Sequence, residues 1–200
     1  MTTLLKSGFE KILRAFYRHR NASIHLRELA RQTNLHGQSI VRYLRLLEKE
    51  RYLRSVKEGN QRKYLLVSDR HVFGVLAIFD IEREQKLPVL RQQAIQAYLE
   101  NLPTPPTFAI LFGSTAKETY TNQSDIDILL ITTSKIDSKK AEFEAGALYA
   151  QKVSTFQMTY KMFKKELKLK EEPVIQSAIN TGYPLINHVL FYEELTHAGI

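Results

Sequence analysis

The chain has 200 residues, of which 44% are hydrophobic and 25% charged, with a net charge of +8, and this length allows one large domain or two small ones, each with a core. The chain has no cysteine, which excludes disulfides and thiolate metal sites and is compatible with the reducing cytoplasm where we expect the protein. No apolar run is long enough to span a membrane and the first residues show no signal-peptide pattern, so we expect no membrane association.

The positive charge is concentrated in the first third of the chain. Residues 1–70 hold 16 Lys/Arg against 6 Asp/Glu, a net charge of +10, whereas residues 71–200 hold 13 against 15, a net charge of −2. This asymmetry indicates an N-terminal module with a polyanionic partner and a C-terminal module with another task. A basic surface without a partner is the alternative.

The first third has the pattern of a small helical domain with a β-hairpin. Apolar residues from Leu5 to Phe16 recur at helical spacing over residues 5–17, and Asn21 belongs to the interruption after them. The elements expected next are a short strand at 24–26, helices at 26–33 and 38–50, and a hairpin of strands 52–56 and 62–67 with a flexible tip at 58–60.

This element order resembles a winged helix-turn-helix domain, which we assign to residues 1–68. In that family the third helix enters the DNA major groove and the wing contacts the backbone or minor groove, so the resemblance implies binding to double-stranded DNA. The residues that it assigns to DNA are Gln38, Ser39, Arg42, Arg45, Lys49, Arg54, Lys57, Arg62 and Lys63. The alternative for the helix residues is an ordinary solvated face.

Two further helices are predicted before the next strand. The helix at 69–87 is apolar on several sides, from Val72 to Ile81, and we expect it to connect the domains and to be covered either in a homodimer or inside the monomer. The helix at 89–101 should turn Leu90, Ala94, Ala97 and Tyr98 inward.

The most informative segment runs from Phe108 to Ile131. An apolar strand ends in Gly113-Ser114, and a second apolar strand carries Asp125 and Asp127. Successive side chains of a strand point to opposite faces, so the two carboxylates share one face. Adjacent acids repel each other unless a cation lies between them, which predicts a divalent metal with a nucleoside triphosphate.

The turn at Gly113-Ser114 has the composition of a phosphate site. A helix that starts here directs free backbone N–H groups at one point, and glycine permits close approach. We assign phosphate and nucleotide binding to Gly113, Ser114, Lys117 and Ser124.

Gly-Ser followed by Asp-Ile-Asp-Ile-Leu between two apolar strands resembles the DNA polymerase β-like nucleotidyltransferases, and the local sequence is similar to their small prokaryotic "minimal nucleotidyltransferase" branch. The resemblance covers residues 88–200. It implies a mixed sheet flanked by helices. Together with the winged-helix domain, this gives an α+β chain of two domains. The resemblance also implies Mg²⁺ (or Mn²⁺) held by Asp125 and Asp127 as catalytic residues, and transfer of a nucleoside monophosphate from a nucleoside triphosphate to a hydroxyl.

The expected third strand, residues 152–160, departs from the family pattern because it contains no acid. Active members usually place a third carboxylate there, where this chain has Ser154, Thr155 or Gln157, none of which is a strong general base near neutral pH. Glu142 and Glu144, on the preceding helix, are weak substitutes.

Three hypotheses follow. The first is a metal-dependent nucleotidyltransferase localised or regulated by its winged helix, with a hydroxyl on a partner protein as acceptor in a toxin–antitoxin-like pair. The second is a DNA-binding regulator whose degenerate C-terminal domain senses nucleotide. The third is a repressor that uses this domain only as a scaffold. The acid-free strand favours the second over the first, and the intact aspartate pair argues against the third.

Overall fold

The computed structural model describes residues 7–19 and 22–200. The chain forms two compact units, Met1–Phe79 and Asp80–Ile200. Their boundary falls inside one helix, Arg70–Gln85, the segment that the sequence assigns to the connection between domains. Leu5 and Asn21, which the sequence analysis places in and after the first helix, lie outside the described residues.

In the described residues of the first unit, three helices combine with a small antiparallel sheet in the order β1-β3-β2. Its elements are α1 (Ser7–Arg18), β1 (Ile24–His25), α2 (Leu26–Thr33), α3 (Gly37–Lys49), β2 (Leu53–Glu58) and β3 (Gln61–Leu66), and they lead into α4 (Arg70–Gln85). The helices, the short strand and the hairpin expected from the sequence are all present.

The core of the first unit follows from helical spacing. Ile40, Leu44 and Leu47 recur on one face of α3 and are buried, which leaves the opposite face of this helix to solvent. Helix α1 packs closely on α3, where Phe9 and Tyr43 meet edge to face with ring centroids 5.3 Å apart.

The second unit is built on a four-stranded mixed sheet in the order β6-β5-β4-β7, in which only β5 and β6 are parallel. Its elements after α4 are α5 (Val89–Glu100), β4 (Phe108–Phe112), α6 (Gly113–Ala116), β5 (Ile126–Thr132), α7 (Lys139–Tyr149), β6 (Val153–Thr159), α8 (Tyr160–Leu169), α9 (Pro173–Thr181), β7 (Tyr183–Pro184) and α10 (His188–His197). The predicted mixed sheet is confirmed, while β7 was not predicted.

Both faces of this sheet are covered. Ile126 and Ile128 pack with Tyr98 of α5 and Ala145 of α7 on one face. On the other face the ring of Phe108 lies 5.1 Å from Phe163 of α8 and 6.1 Å from Phe191 of α10, measured between centroids. A sheet covered on both sides favours continuous apolar strands, which the central strands β4 and β5 have, whereas the edge strand β6 keeps polar side chains along its length.

Two expectations about buried helix faces need correction. Ala94, Ala97 and Tyr98 are buried as predicted, but Leu90 is 53% exposed and Arg91 is 3% exposed, so the inward position belongs to the arginine. The Arg91 guanidinium donates hydrogen bonds to oxygen atoms of residues 115–124, which a leucine could not do. In α4, most of the predicted apolar residues are buried, while Ile78 and Ile81 are exposed.

Among the residues that the structure describes, no helix combines the length and the apolar character needed to cross a membrane.

Candidate active site

The chain reverses at Gly113 between β4 and the short helix α6, with φ of +69° at the glycine. The carboxylate of Asp127, on the neighbouring strand β5, lies directly against this glycine. A Cβ atom at position 113 would overlap Asp127 Oδ2 and would lie 3.0 Å from Asp127 Cγ. Only glycine satisfies both the backbone angle and this close approach.

The two aspartates flank a fully buried residue. Asp125 precedes β5 by one residue, so it lies at the end of the strand rather than within it, and Asp127 is opposite Phe112 of β4. Both are half-buried, whereas Ile126 between them is buried, as alternation along a strand requires. Burial raises the pKa of Asp127, and the negative charge of Asp125 raises it further.

Lys152 partly balances this negative charge, and the sequence analysis did not identify it. Its Nζ lies 2.5 Å from Asp125 Oδ2, and its carbonyl accepts a hydrogen bond from the Ile126 N–H. The hydrogen bond to Asp125 raises the pKa of the lysine. A single lysine far along the chain gives no sequence signal for this pairing, which arises only when β6 aligns with β5.

Replacing Lys152 with Met should raise the pKa of Asp127 further, because the ammonium group favours its ionised form. Carboxyl ¹³C NMR titration of both proteins measures this shift. Lys140→Met is the matched control, since Lys140 is 3.7 Å from Glu144 on α7 and should leave Asp127 unaffected. An unchanged Asp127 titration in the Lys152→Met protein would contradict the electrostatic coupling.

The position expected for a third acid holds Ser154. It lies beside Asp127 in the parallel register and shares its face of the sheet. Thr155 points to the opposite face and donates to the Tyr98 hydroxyl at 2.8 Å, and alternation places Gln157 on that side as well.

The two glutamates proposed as substitutes also lie away from Asp127. They belong to α7, which packs on the face of the sheet that carries Ile126. Glu142 accepts a hydrogen bond from Ser138 at 2.9 Å. Across residues 7–19 and 22–200, no group of three or more His, Asp or Glu side chains is arranged to hold a metal ion.

The remaining predicted phosphate residues differ in their surroundings. Ser114 follows Gly113 in α6 and is half-buried, and Lys117, at the end of this helix, is exposed. Ser124 Oγ accepts the Thr121 N–H at 2.9 Å, so its hydroxyl stabilises the turn before Asp125. The structure therefore brings Gly113 to Asp127, with Ser114 next in the chain, while Ser124 takes part in the loop's own bonding.

The residues assigned to DNA lie on three surfaces of the first unit. The exposed face of α3 carries Gln38, Ser39, Arg42, Arg45 and Lys49. In the hairpin, Lys57 is directly opposite Arg62 and shares its face, whereas alternation places Arg54 and Lys63 on the other face. Lys63 forms an ion pair with Glu58, so its charge is already partly neutralised.

Residues 93–188 match the family model described as "Polymerase beta, Nucleotidyltransferase". The match covers just under half of the chain and lies entirely within the second unit. Neither the curated proteins nor the solved structures contain a match to this chain. The nucleotidyltransferase part of the sequence interpretation is thereby supported, and the winged-helix part stays a prediction.

Proposed function

We propose that the second unit binds a magnesium–nucleoside triphosphate at Asp125 and Asp127 and transfers a nucleoside monophosphate to a hydroxyl acceptor, releasing pyrophosphate. One observation carries this proposal: the Asp127 carboxylate lies against Gly113, inside the segment that matches the nucleotidyltransferase family. Gly113 and Ser114 form the proposed phosphate contact, with Lys117 at its edge.

The donor set fits Mg²⁺ or Mn²⁺. Magnesium in nucleotide sites takes one or two carboxylates and completes its shell with phosphate and water, so a pair of acids is sufficient. Asp125 and Asp127 would hold the ion, whose positive charge would offset both the burial and the neighbouring negative charge that raise the pKa of Asp127. When bound, the ion neutralises the triphosphate and acts as a Lewis acid.

The residue beside Asp127 on the next strand should affect the catalytic rate. Ser154 has the place next to Asp127 where a general base would be useful, and a hydroxyl does not accept a proton near neutral pH. This single position favours a second candidate function, in which the domain binds nucleotide as a signal and turns it over slowly or not at all.

Calorimetric titration of each nucleoside triphosphate with Mg²⁺, together with detection of pyrophosphate, distinguishes the candidates. Binding with pyrophosphate release supports transfer, and binding alone supports sensing. The absence of binding would leave only a scaffolding role for the second unit.

The protein acceptor and the homodimer stay predictions.

For the first unit we propose binding to double-stranded DNA through α3 and the hairpin. The exposed cations of α3 lie opposite its buried face, and Lys57 directly faces Arg62 across the hairpin. Like charges at such positions destabilise a hairpin. A polyanion bound over Lys57 and Arg62 would reduce the repulsion between them. The net charge of +10 over residues 1–70 points in the same direction.

The double substitution Arg42→Ala/Arg45→Ala should weaken binding to duplex DNA and reduce the slope of log K against log salt by about two, because each lost phosphate contact removes about one unit. Fluorescence anisotropy over a salt series measures both quantities. Arg18→Ala/Arg31→Ala is the control with the same loss of charge outside these elements, and Arg31 already pairs with Glu28. Equal effects of the two double substitutions would defeat the assignment to α3.

A further inference from the structure

Arg91 is a buried cation beside the proposed site. It belongs to α5 and is 3% exposed. Burying a guanidinium is costly unless its N–H donors are hydrogen-bonded. Because these donors are held in one rigid plane, a buried arginine can bind several acceptors at once and fix their relative positions.

The guanidinium connects the two parts of the chain that form the site. One nitrogen donates to Thr115 Oγ1 of α6 at 2.9 Å. The other donates to two carbonyls of the following loop, Thr121 at 3.0 Å and Ser124 at 2.9 Å. Its carbon atom also lies 4.4 Å from the centroid of the Tyr120 ring, a cation–π contact within the same loop.

Thr115 completes the connection. Its hydroxyl accepts from Arg91 and donates to the Asp125 carbonyl at 3.3 Å. Arg91 is thus bonded directly to the residue before Asp125 and, through one hydroxyl, to Asp125 itself. The same hydroxyl belongs to the helix that begins at Gly113. Lys152 contacts the carboxylate of Asp125, while Arg91 fixes the backbone that carries it relative to the glycine turn.

We infer that Arg91 is a positioning residue, which fixes the loop of residues 117–125 and holds Asp125 beside the Gly113 turn for binding of the metal–nucleotide. The inference rests on the proposed function for its consequence in binding. Whether Arg91 fixes the loop of residues 117–125 can be tested without any ligand.

Hydrogen exchange of the full chain tests the connection. The amides of Thr119, Thr121 and Ser124 are hydrogen-bonded within residues 114–124, so their protection reports on the loop. In Arg91→Lys, which keeps the charge but loses the fork, we expect faster exchange of these amides and unchanged exchange in α8 and α10. Gln96→Ala is the control on the same helix, since the Gln96 side chain is exposed and donates to Glu100, one turn along α5 and away from the loop.

Titration with Mg²⁺–ATP tests the consequence. Loss of a residue that orients a metal ligand typically costs roughly 10- to 100-fold in affinity, and we expect this range for Arg91→Lys and no change for Gln96→Ala. Thr115→Val removes the bridging hydroxyl and keeps Arg91, so it should have a similar effect. If Arg91 and Thr115 act as one connection, the double variant should lose less than the product of the two single losses.

The two proposals fail in different ways. Unchanged protection of residues 117–125 in both Arg91→Lys and Thr115→Val, or an equal loss of protection throughout the second unit, would overturn the role of Arg91 as a positioning residue. Failure of the wild-type protein to bind Mg²⁺–ATP would overturn the proposed function, while the exchange comparison would still decide whether Arg91 fixes the loop.

Discussion

Asp127→Asn should strongly weaken binding of Mg²⁺–nucleotide while leaving the second unit at least as stable as in the wild-type protein. The substitution keeps the shape of the side chain and removes one of the two charges that attract the metal. A metal–carboxylate contact of this kind contributes several kcal/mol, so affinity should fall on the order of a hundredfold or more. Calorimetric titration with Mg²⁺–ATP measures the loss.

The expected stability follows from the direction of the pKa shift. Burial and the charge of Asp125 raise the pKa of Asp127 in the folded protein. The folded state therefore holds the proton more tightly than the unfolded state, and the contribution of this group to stability falls as the pH rises through its unfolded pKa towards the folded one. Above that window the ionised carboxylate disfavours folding, and asparagine removes this cost.

Thermal unfolding from pH 4 to pH 7 checks this sign. The difference in Tm between Asp127→Asn and wild type should increase in favour of the variant as the pH rises. Asp137→Asn is the matched control, because Asp137 is exposed and its carboxylate accepts a local hydrogen bond from the Lys139 N–H. A variant that binds nucleotide normally would show that Asp127 does not hold the metal, and one that loses stability together with binding would show that Asp127 is a structural residue.

Sequence periodicity was sufficient for most of the elements because their burial is regular. The apolar set of α3 and the continuous apolar strands β4 and β5 produce patterns that depend only on local spacing. The paired aspartates were visible for the same reason, although only Asp127 is a strand residue and Asp125 lies one residue before β5.

The features that were missed depend on contacts between distant segments. Arg91 was overlooked because a charged residue beside Leu90 is normally the exposed one, and its carbonyl partners at Thr121 and Ser124 carry no sequence signal. Lys152 meets Asp125 only through strand pairing. Strand β7 has two residues and becomes a strand only through its pairing with Ile110 and Leu111 of β4, which are distant in the chain.

Gly113→Ala is the second substitution for which we expect a large loss of binding, and here the cause is steric. An alanine at φ of +69° carries a conformational cost of about 1–2 kcal/mol, and its methyl group overlaps Asp127 Oδ2. The overlapping Oδ2 atom is the end of a flexible side chain and can rotate away, but the added methyl group would also lie 3.2 Å from Asp127 Cβ, so Asp127 itself must shift by a few tenths of an ångström. The protein should fold, but Asp127 should be displaced from the position in which it binds metal.

Gly199→Ala is the control that separates the backbone strain of an alanine at positive φ from the displacement of the Asp127 carboxylate. Gly199 has a similar φ of +74° and lies in the same unit, and a Cβ atom added there would meet no described atom within 4 Å, so its substitution introduces the backbone strain alone. We expect a decrease in Tm of a few degrees for each alanine variant, and loss of Mg²⁺–ATP affinity for Gly113→Ala only.

The double variant Gly113→Ala/Asp127→Asn decides whether the glycine acts through the carboxylate. If it does, alanine at position 113 should reduce Mg²⁺–ATP affinity strongly in the wild-type background and hardly at all once Asp127 is asparagine, because the interaction that it disrupts is already lost. Additive losses would mean that Gly113 acts independently of Asp127, for example through its own backbone contact with phosphate. Wild-type affinity in Gly113→Ala would mean that the close approach of glycine and carboxylate has no part in the site.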